Sequence, residues 1–372
     1  DDLLRLAYWE SEIAAHASLD DLGWHDGALH LALTADLRAD GAPIAFVHRD
    51  ERDLLDLPVL SEEARALLPD DDLDSTQRLA TSKADVLVRS RENGEEHFLT
   101  VTSSPRHRPL ADDDERFQLV LDAQATLDVT TAAGGSALSD GVWDVVVRVV
   151  SCGWRKDVRV GAVRSARADG NCVSAVLGDP ARVVTPYWTD MGNLSLDVGQ
   201  HTSRVRHELS IPAVPEVDAG GSAGITIKVP LRVVASRPVH GAALRLVHEQ
   251  SGKTVDAPAQ LAPAAADGRG SSVLCAQVPE ELDPGRWSVE VRLVGSGEGK
   301  FIRLKATMTA PADSGAPVFD LPARAGGADL AEESSTKLGP RDRVRATLAR
   351  RSRWLPVRLR WAAIRAVRRA RG

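Results

Sequence analysis

Residues 141–161 read "GVWDVVVRVVSCGWRKDVRVG". Successive side chains of a strand point to opposite faces. With that period, Trp143, Val145, Val147 and Val149 share one face, and Asp144, Val146, Arg148 and Val150 share the other. Residues 285–294, "GRWSVEVRLV", repeat the arrangement: Trp287, Val289, Val291 and Leu293 stand opposite Ser288, Glu290, Arg292 and Val294. In both, a turn glycine precedes x-Trp-x-Val-x-Val-Arg. A Trp in register with an apolar stripe fills the gap between two sheets and buries roughly 200 Å². A sugar-stacking Trp would sit on a solvent face among polar neighbours. The spacing therefore predicts strands, with Trp143 and Trp287 in a core.

Strand patterns continue on both sides. "GALHLALTADL" alternates, with Leu29, Leu31 and Leu33 on one face, and "ADVLVRSRENGEEHFLTVTS" places Asn93–Gly94 between two alternating runs, a hairpin signal. Short runs separated by Gly, Asp, Asn or Pro fill the chain from Arg116 to Gly199. Further runs follow to residue 311, with a second hairpin signal in "EQSGKT". "SEEARALLPDDDLD" is the weakest part, a short helical or irregular connection. The expected fold is all-β: tandem immunoglobulin-like β-sandwich modules over 18–108, 109–215 and 216–311, sized for that architecture. Leu3, Leu6, Tyr8, Trp9 and Ile13 have loose helical spacing and predict a helical lead-in over 1–17. Residues 312–340, rich in Ala, Gly, Asp, Ser and Pro, are expected to be a flexible linker. Residues 341–372 are expected to be a basic amphipathic helix.

Composition narrows the class. The 372 residues are 43% hydrophobic but only 4% Phe, Trp and Tyr, so the cores must be mostly Val, Leu and Ala. No run of 18 apolar residues occurs, so no spanning helix is expected. The chain opens on Asp1 and Asp2, without a secretory leader, as a piece of a longer protein would. Cys152, Cys172 and Cys275 are odd in number and far apart. They form no disulfide framework and fit a reducing compartment; a Cys152–Cys172 bridge stays open. The net charge of −7 conceals an asymmetry: residues 341–372 hold twelve Arg and one Asp, +11, leaving −18 on the preceding 340.

Catalytic chemistry has little to stand on. The acidic triplets at 70–72 and 112–114 lie in strand-poor connections and read as solvated loops. "GGSAG" (220–224) lacks the Lys and the helix of a phosphate loop. His25 and His30 are spaced for opposite strand faces and make a poor metal pair. His97, His107, His201, His207, His240 and His248 form no ligand cluster. No catalytic, cofactor-binding or metal residue, and no cofactor, is expected. Two readings remain for a second aromatic group. Trp154 sits in a turn beside Arg155 and Lys156, and Tyr187, Trp188 and Asn193 lie in "VVTPYWTDMGNLSLDVG". They either contact a carbohydrate or plug the end of a sandwich.

"GVWDVVVRVVSCGWRKDVRVG" together with "VTPYWTDMGNLSLDVG" resembles the β-sandwich region C-terminal to the catalytic domain in large actinobacterial glycosyltransferases and polyol-phosphate transferases. These are similar to the poly(ribitol phosphate) glycosyltransferases of wall teichoic acid synthesis. The resemblance covers about residues 18–311 and is architectural only in the third module. It implies a non-catalytic region that oligomerises or holds the polymeric acceptor. The nucleotide-sugar domain would lie before residue 1, so no catalytic residue carries over.

The tail, "PRDRVRATLARRSRWLPVRLRWAAIRAVRRARG", has apolar residues at helical spacing, interrupted by Pro356. Its Arg343, Arg345, Arg350, Arg351, Arg353, Arg358, Arg360, Arg365, Arg368 and Arg369, with Trp354 and Trp361, suit an anionic membrane surface. An anionic cell-wall polymer is the second partner such a segment fits. A disordered tail, or a helix docked on the upstream domain, is the plainer reading. Nucleic acid is not expected. The function expected is an accessory region of a cell-envelope glycosyltransferase, cytoplasmic and peripheral to the inner membrane face, with an upstream glycosyltransferase domain and further copies of itself as partners. A free-standing immunoglobulin-like scaffold or adhesion protein, or a carbohydrate-binding protein, is the alternative.

Overall fold

A computed structural model describes residues 2–110, 113–202, 204–205, 209–221, 224–264, 271–295, 300–312 and 315–321. Among them the chain is mostly strand, arranged in three eight-stranded sheets. It is all-β, as the alternating patterns require. No described helix is long and apolar enough to cross a membrane.

In the first sheet, Val163–Arg164, Ile13–His25, Ala28–Ala39, Asp113–Leu127, Ala45–Arg49 and Arg52–Leu55 lie side by side, and Thr100–Leu110 pairs the remaining edge of Asp113–Leu127. The second runs Val234–Ala235, Ala175–Leu177, Arg182–Trp188, Leu194–Val198, Gly141–Ser151, Lys83–Ser90, Glu96–Phe98, with Trp154–Arg159 also on Gly141–Ser151. The third runs Glu216–Gly221, Gly224–Leu231, Ser272–Val278, Thr254–Pro263, Val239–His248, Gly285–Arg292, Ile302–Ala310, Val318–Asp320.

The first two sheets do not form separate sandwiches. Their inner faces share one buried cluster, in which Leu19, Leu31 and Leu121 of the first meet Val86, Val147 and Leu196 of the second. The break expected at residues 108/109 falls inside the antiparallel pair of Thr100–Leu110 with Asp113–Leu127. The chain changes sheets at Leu99: Glu96–Phe98 belongs to the second sheet and Thr100–Leu110 to the first. Alternation shows which face of a strand is apolar, but not which sheet that strand joins. The third sheet has its own cluster, to which Val176 and Val183 of the second sheet are added.

Short parallel strands join the units. Val163–Arg164 adds to the first sheet beside Ser18 and Leu19, and Val234–Ala235 adds to the second beside Ala175 and Val176. Arg232 and Arg237 donate to the carbonyls of Gly170 and Gly178 across the second junction.

The repeated Trp motif has the same surroundings twice. Trp143 and Trp287 are 1% and 0% exposed. Each indole N–H donates to the carbonyl four residues earlier, Ser139 at 3.0 Å and Asp283 at 3.1 Å. Each ring meets a histidine, His97 at 5.4 Å and His248 at 4.9 Å between centroids. Each motif's Arg lies against a Phe, Arg148 by Phe98 at 5.4 Å and Arg292 by Phe301 at 5.2 Å. The similarity read in the sequence is thus a similarity of packing.

Several expected boundaries shift. The lead-in helix covers Asp2–Ser11 and stops there, because Ile13 already pairs with Ala39 as a buried strand residue. The turn at Asn93–Gly94 holds four residues rather than two: Ser90 N–H donates to Glu95 O at 2.9 Å, and Gly94 takes the positive φ of 76°. The "EQSGKT" turn joins Val239–His248 to Thr254–Pro263 as expected. "SEEARALLPDDDLD" contains two short helices, Glu62–Ala66 and Asp70–Leu73. In the segment expected as linker, Val318–Asp320 pairs with Ile302–Ala310. The rest of that segment from 322, and the whole tail, lie outside the described residues. No disulfide joins Cys152, Cys172 and Cys275.

Candidate functional site

The aromatic group singled out as a carbohydrate contact does not assemble. Trp154 is 4% exposed, sits in the shared core edge-to-face with Trp9 at 6.2 Å, and places its indole N–H 3.5 Å from Glu10 Oε1. Tyr187 and Trp188 are neighbours in one strand, so their rings leave opposite faces of the sheet. Tyr187 is 2% exposed, with the Arg204 guanidinium 4.7 Å above its ring. Trp188 packs against the inner core, with the Arg164 guanidinium 4.2 Å from its ring centroid. Gly161 backs it so closely that a Cβ there would fall 2.8 Å from the indole. Asn193 closes the turn after it, accepting from Thr189 N–H at 2.8 Å and donating its own N–H to Thr189 Oγ1 at 3.1 Å. These residues plug and brace the second sheet. The tail arginines and Trp354 and Trp361 lie outside the described residues.

Sequence reading missed the most highly organised polar feature, a charged layer on the outer face of the second sheet. Alternation puts Asp144 and Arg148 on the face opposite Trp143. Pairing with Lys83–Ser90, Glu96–Phe98, Trp154–Arg159 and Leu194–Val198 brings Arg89, Glu96, Asp157, Arg159 and Ser195 beside them. Arg148, its side chain 7% exposed, donates twice to Asp157, at 2.7 and 2.8 Å, and reaches Glu96 at 3.1 Å. Arg89 bridges the same two carboxylates at 2.6 and 2.7 Å. A second knot follows: Arg91 and Arg159 both donate to Asp144 Oδ1, at 2.8 and 2.7 Å, and Ser195 donates to the same oxygen at 2.8 Å. Leu87 and Val146 are paired across this face and buried beneath the layer, where the aliphatic stems of arginines can cover apolar surface.

The electrostatics follow from the geometry. Hydrogen bonds from Arg148 hold the Asp157 carboxyl down to about 2, against the opposing pull of burial, and Arg89 adds to the effect. The same contacts raise Arg148 above the ordinary arginine range. Burial pulls Glu96 upward, but Arg89 and Arg148 more than offset it. Asp157 therefore stays ionised at neutral pH and cannot serve there as a proton donor. The layer is a set of charge-assisted, partly bidentate pairs that tie five strands together. Only the first acidic triplet can be placed as a whole: Asp70, Asp71 and Asp72 form a short helix, with Asp71 paired to Arg52. Among the described residues, no group of three or more His, Cys, Asp or Glu is placed to share a metal ion.

Residues 74–198 match the family described as TarS beta-glycosyltransferase C-terminal domain 1. The matched span contains the central strands of the second sheet and the whole charged layer. Among solved structures, the chain is similar to a crystal structure of S. aureus TarS 217–571, with 13% identity and a TM-score of 0.31, covering 73% of this chain and 57% of that one. It is also similar to a second crystal structure of S. aureus TarS, with 11% identity and a TM-score of 0.30, covering 77% and 39% respectively. The chain thus spans less than two thirds of either. No curated protein matches it.

Proposed function

We propose that this chain is the non-catalytic C-terminal region of a cell-wall polymer glycosyltransferase, where it holds the acceptor, brings copies of the enzyme together and rests on the membrane surface. The observation that carries this reading is the match of residues 74–198 to a C-terminal domain of TarS beta-glycosyltransferase. The charge distribution supports the membrane part. Twelve arginines with Trp354 and Trp361 close a chain whose remainder is acidic, and each basic residue near an anionic leaflet contributes about 1 kcal/mol. The body would then work at the inner face of the envelope membrane, with the polyol-phosphate polymer and an upstream transferase domain as partners.

The test is co-sedimentation of the full chain, and of a truncation ending at Leu338, with anionic and neutral vesicles at two salt concentrations. A parallel arm uses a purified polyol-phosphate polymer, and sedimentation velocity reads the assembly state. The full chain should pellet with anionic vesicles and lose affinity as salt rises, while the truncation stays in solution. Failure of both proteins to bind vesicles ends the membrane reading. A single monomeric species with no polymer binding ends the other two.

A further inference from the structure

The first hairpin brings together two histidines that a count along one strand would separate. His25 ends Ile13–His25 and His30 lies in Ala28–Ala39, with the turn at Asp26–Gly27 between them. An offset of five within one strand means opposite faces, but across this turn the parity is reset. Gly23 is the cross-strand partner of His30, and His25, two residues on from Gly23, shares its face. Gly23 has no side chain to fill that position. The His25 imidazole leans over it, with Nε2 3.6 Å from where a Cβ would sit. Both histidines are exposed, and their ring centroids stand 5.4 Å apart at 70°. On the other side of His30, Thr126 Oγ1 lies 3.3 Å from Nδ1. When that nitrogen carries the proton and donates to the hydroxyl, the Nε2 lone pair is left uncommitted. Orientation of one ring nitrogen by a neighbouring group is how metal-ligating imidazoles are commonly held.

The spacing is that of a shared ligand pair. Two imidazoles bound at about 2.0–2.1 Å to one ion, at a tetrahedral angle, place their ring centroids about 5 Å apart. We propose that His25 and His30 form a site for one divalent transition-metal ion of the Zn²⁺ or Cu²⁺ class. Two imidazoles bind the ion and water completes the shell, so the site is weaker than one with three or four protein ligands. Thr126 is a positioning residue and Gly23 the gap that lets the rings meet.

The test is isothermal titration of the full chain with Zn²⁺ at pH 7.5, repeated on His25→Gln, His30→Gln, the double variant and Thr126→Ala. One saturable site should appear in the unaltered chain. Either single His variant should lose it, and Thr126→Ala should weaken it by about tenfold. Cu²⁺ added to the unaltered protein should broaden the ring-proton NMR signals of these two histidines before those of the other eight, which reads the site without any substitution. Absence of saturable binding, or binding unchanged in the double variant, overturns the proposal.

Discussion

Asp157→Asn removes one charge from the layer while keeping the side chain's size. In the folded protein the carboxyl titrates at about 2, against 3.8 for the free group. Linkage turns a difference of that size into about 2.4 kcal/mol of stability at neutral pH. The carboxylate is 30% exposed, and solvent screening reduces the expected loss to about 1–2 kcal/mol. The sign is fixed by the direction of the shift. A depressed folded value gives stability that is fully present above 3.8 and disappears as pH falls through 2. The gap between wild type and variant should therefore be full at pH 7 and roughly halved at pH 3. Urea denaturation of both proteins at pH 7, 4 and 3 measures it. A gap that is the same at pH 7 and pH 3 would mean that the substitution acts through shape rather than charge. No gap at any pH would mean that the layer contributes nothing, and either result would refute the reasoning.

Trp143→Ala and Trp287→Ala should each cost about 3–5 kcal/mol. They lie in separate clusters, so calorimetry should show different parts of the transition moving; a loss under 1 kcal/mol for either contradicts its role as a core filler. Gly285→Ala should lower the melting temperature more than Gly252→Ala. Both have positive φ, but only at Gly285 would the new Cβ fall 2.5 Å from His248 Nε2, and equal effects would discount that clash. Thr100–Leu110 pairs on one side only among the described residues, with Pro105 and Pro109 in its exposed half. Proline removes an N–H that an edge strand could offer to another chain. Pro105→Val with Pro109→Val should increase self-association in sedimentation velocity, and an unchanged distribution would show that the edge is guarded by other means.

Much of the local structure was legible because it depends on neighbours along the chain. Period-two alternation identified the strands and put Trp143 and Trp287 inward. The turn signals located two hairpins, although the loop at Arg91–Gly94 is longer than the Asn-Gly pair implies. The candidate site was much less legible. Tyr187 and Trp188 look like one aromatic platform when written side by side, yet adjacent strand residues face opposite ways. Arg89, Glu96, Arg148 and Asp157 look like scattered surface charges until four strands are laid next to one another.

By itself, the sequence determined that this chain is a β protein, that the same Trp-centred packing unit occurs twice, and that an acidic body precedes a strongly basic end. Those properties follow from periodicity and charge, which are local or additive. Tertiary structure alone decided that the first two sheets close over a single core and that residues 96–110 pass from one sheet to the other. It also decided that His25 meets His30 across Gly23. Each of these depends on which strand lies next to which. A strand's own pattern specifies its buried face but leaves its partner open, and the partner is chosen by how the apolar faces fit once the whole chain has collapsed.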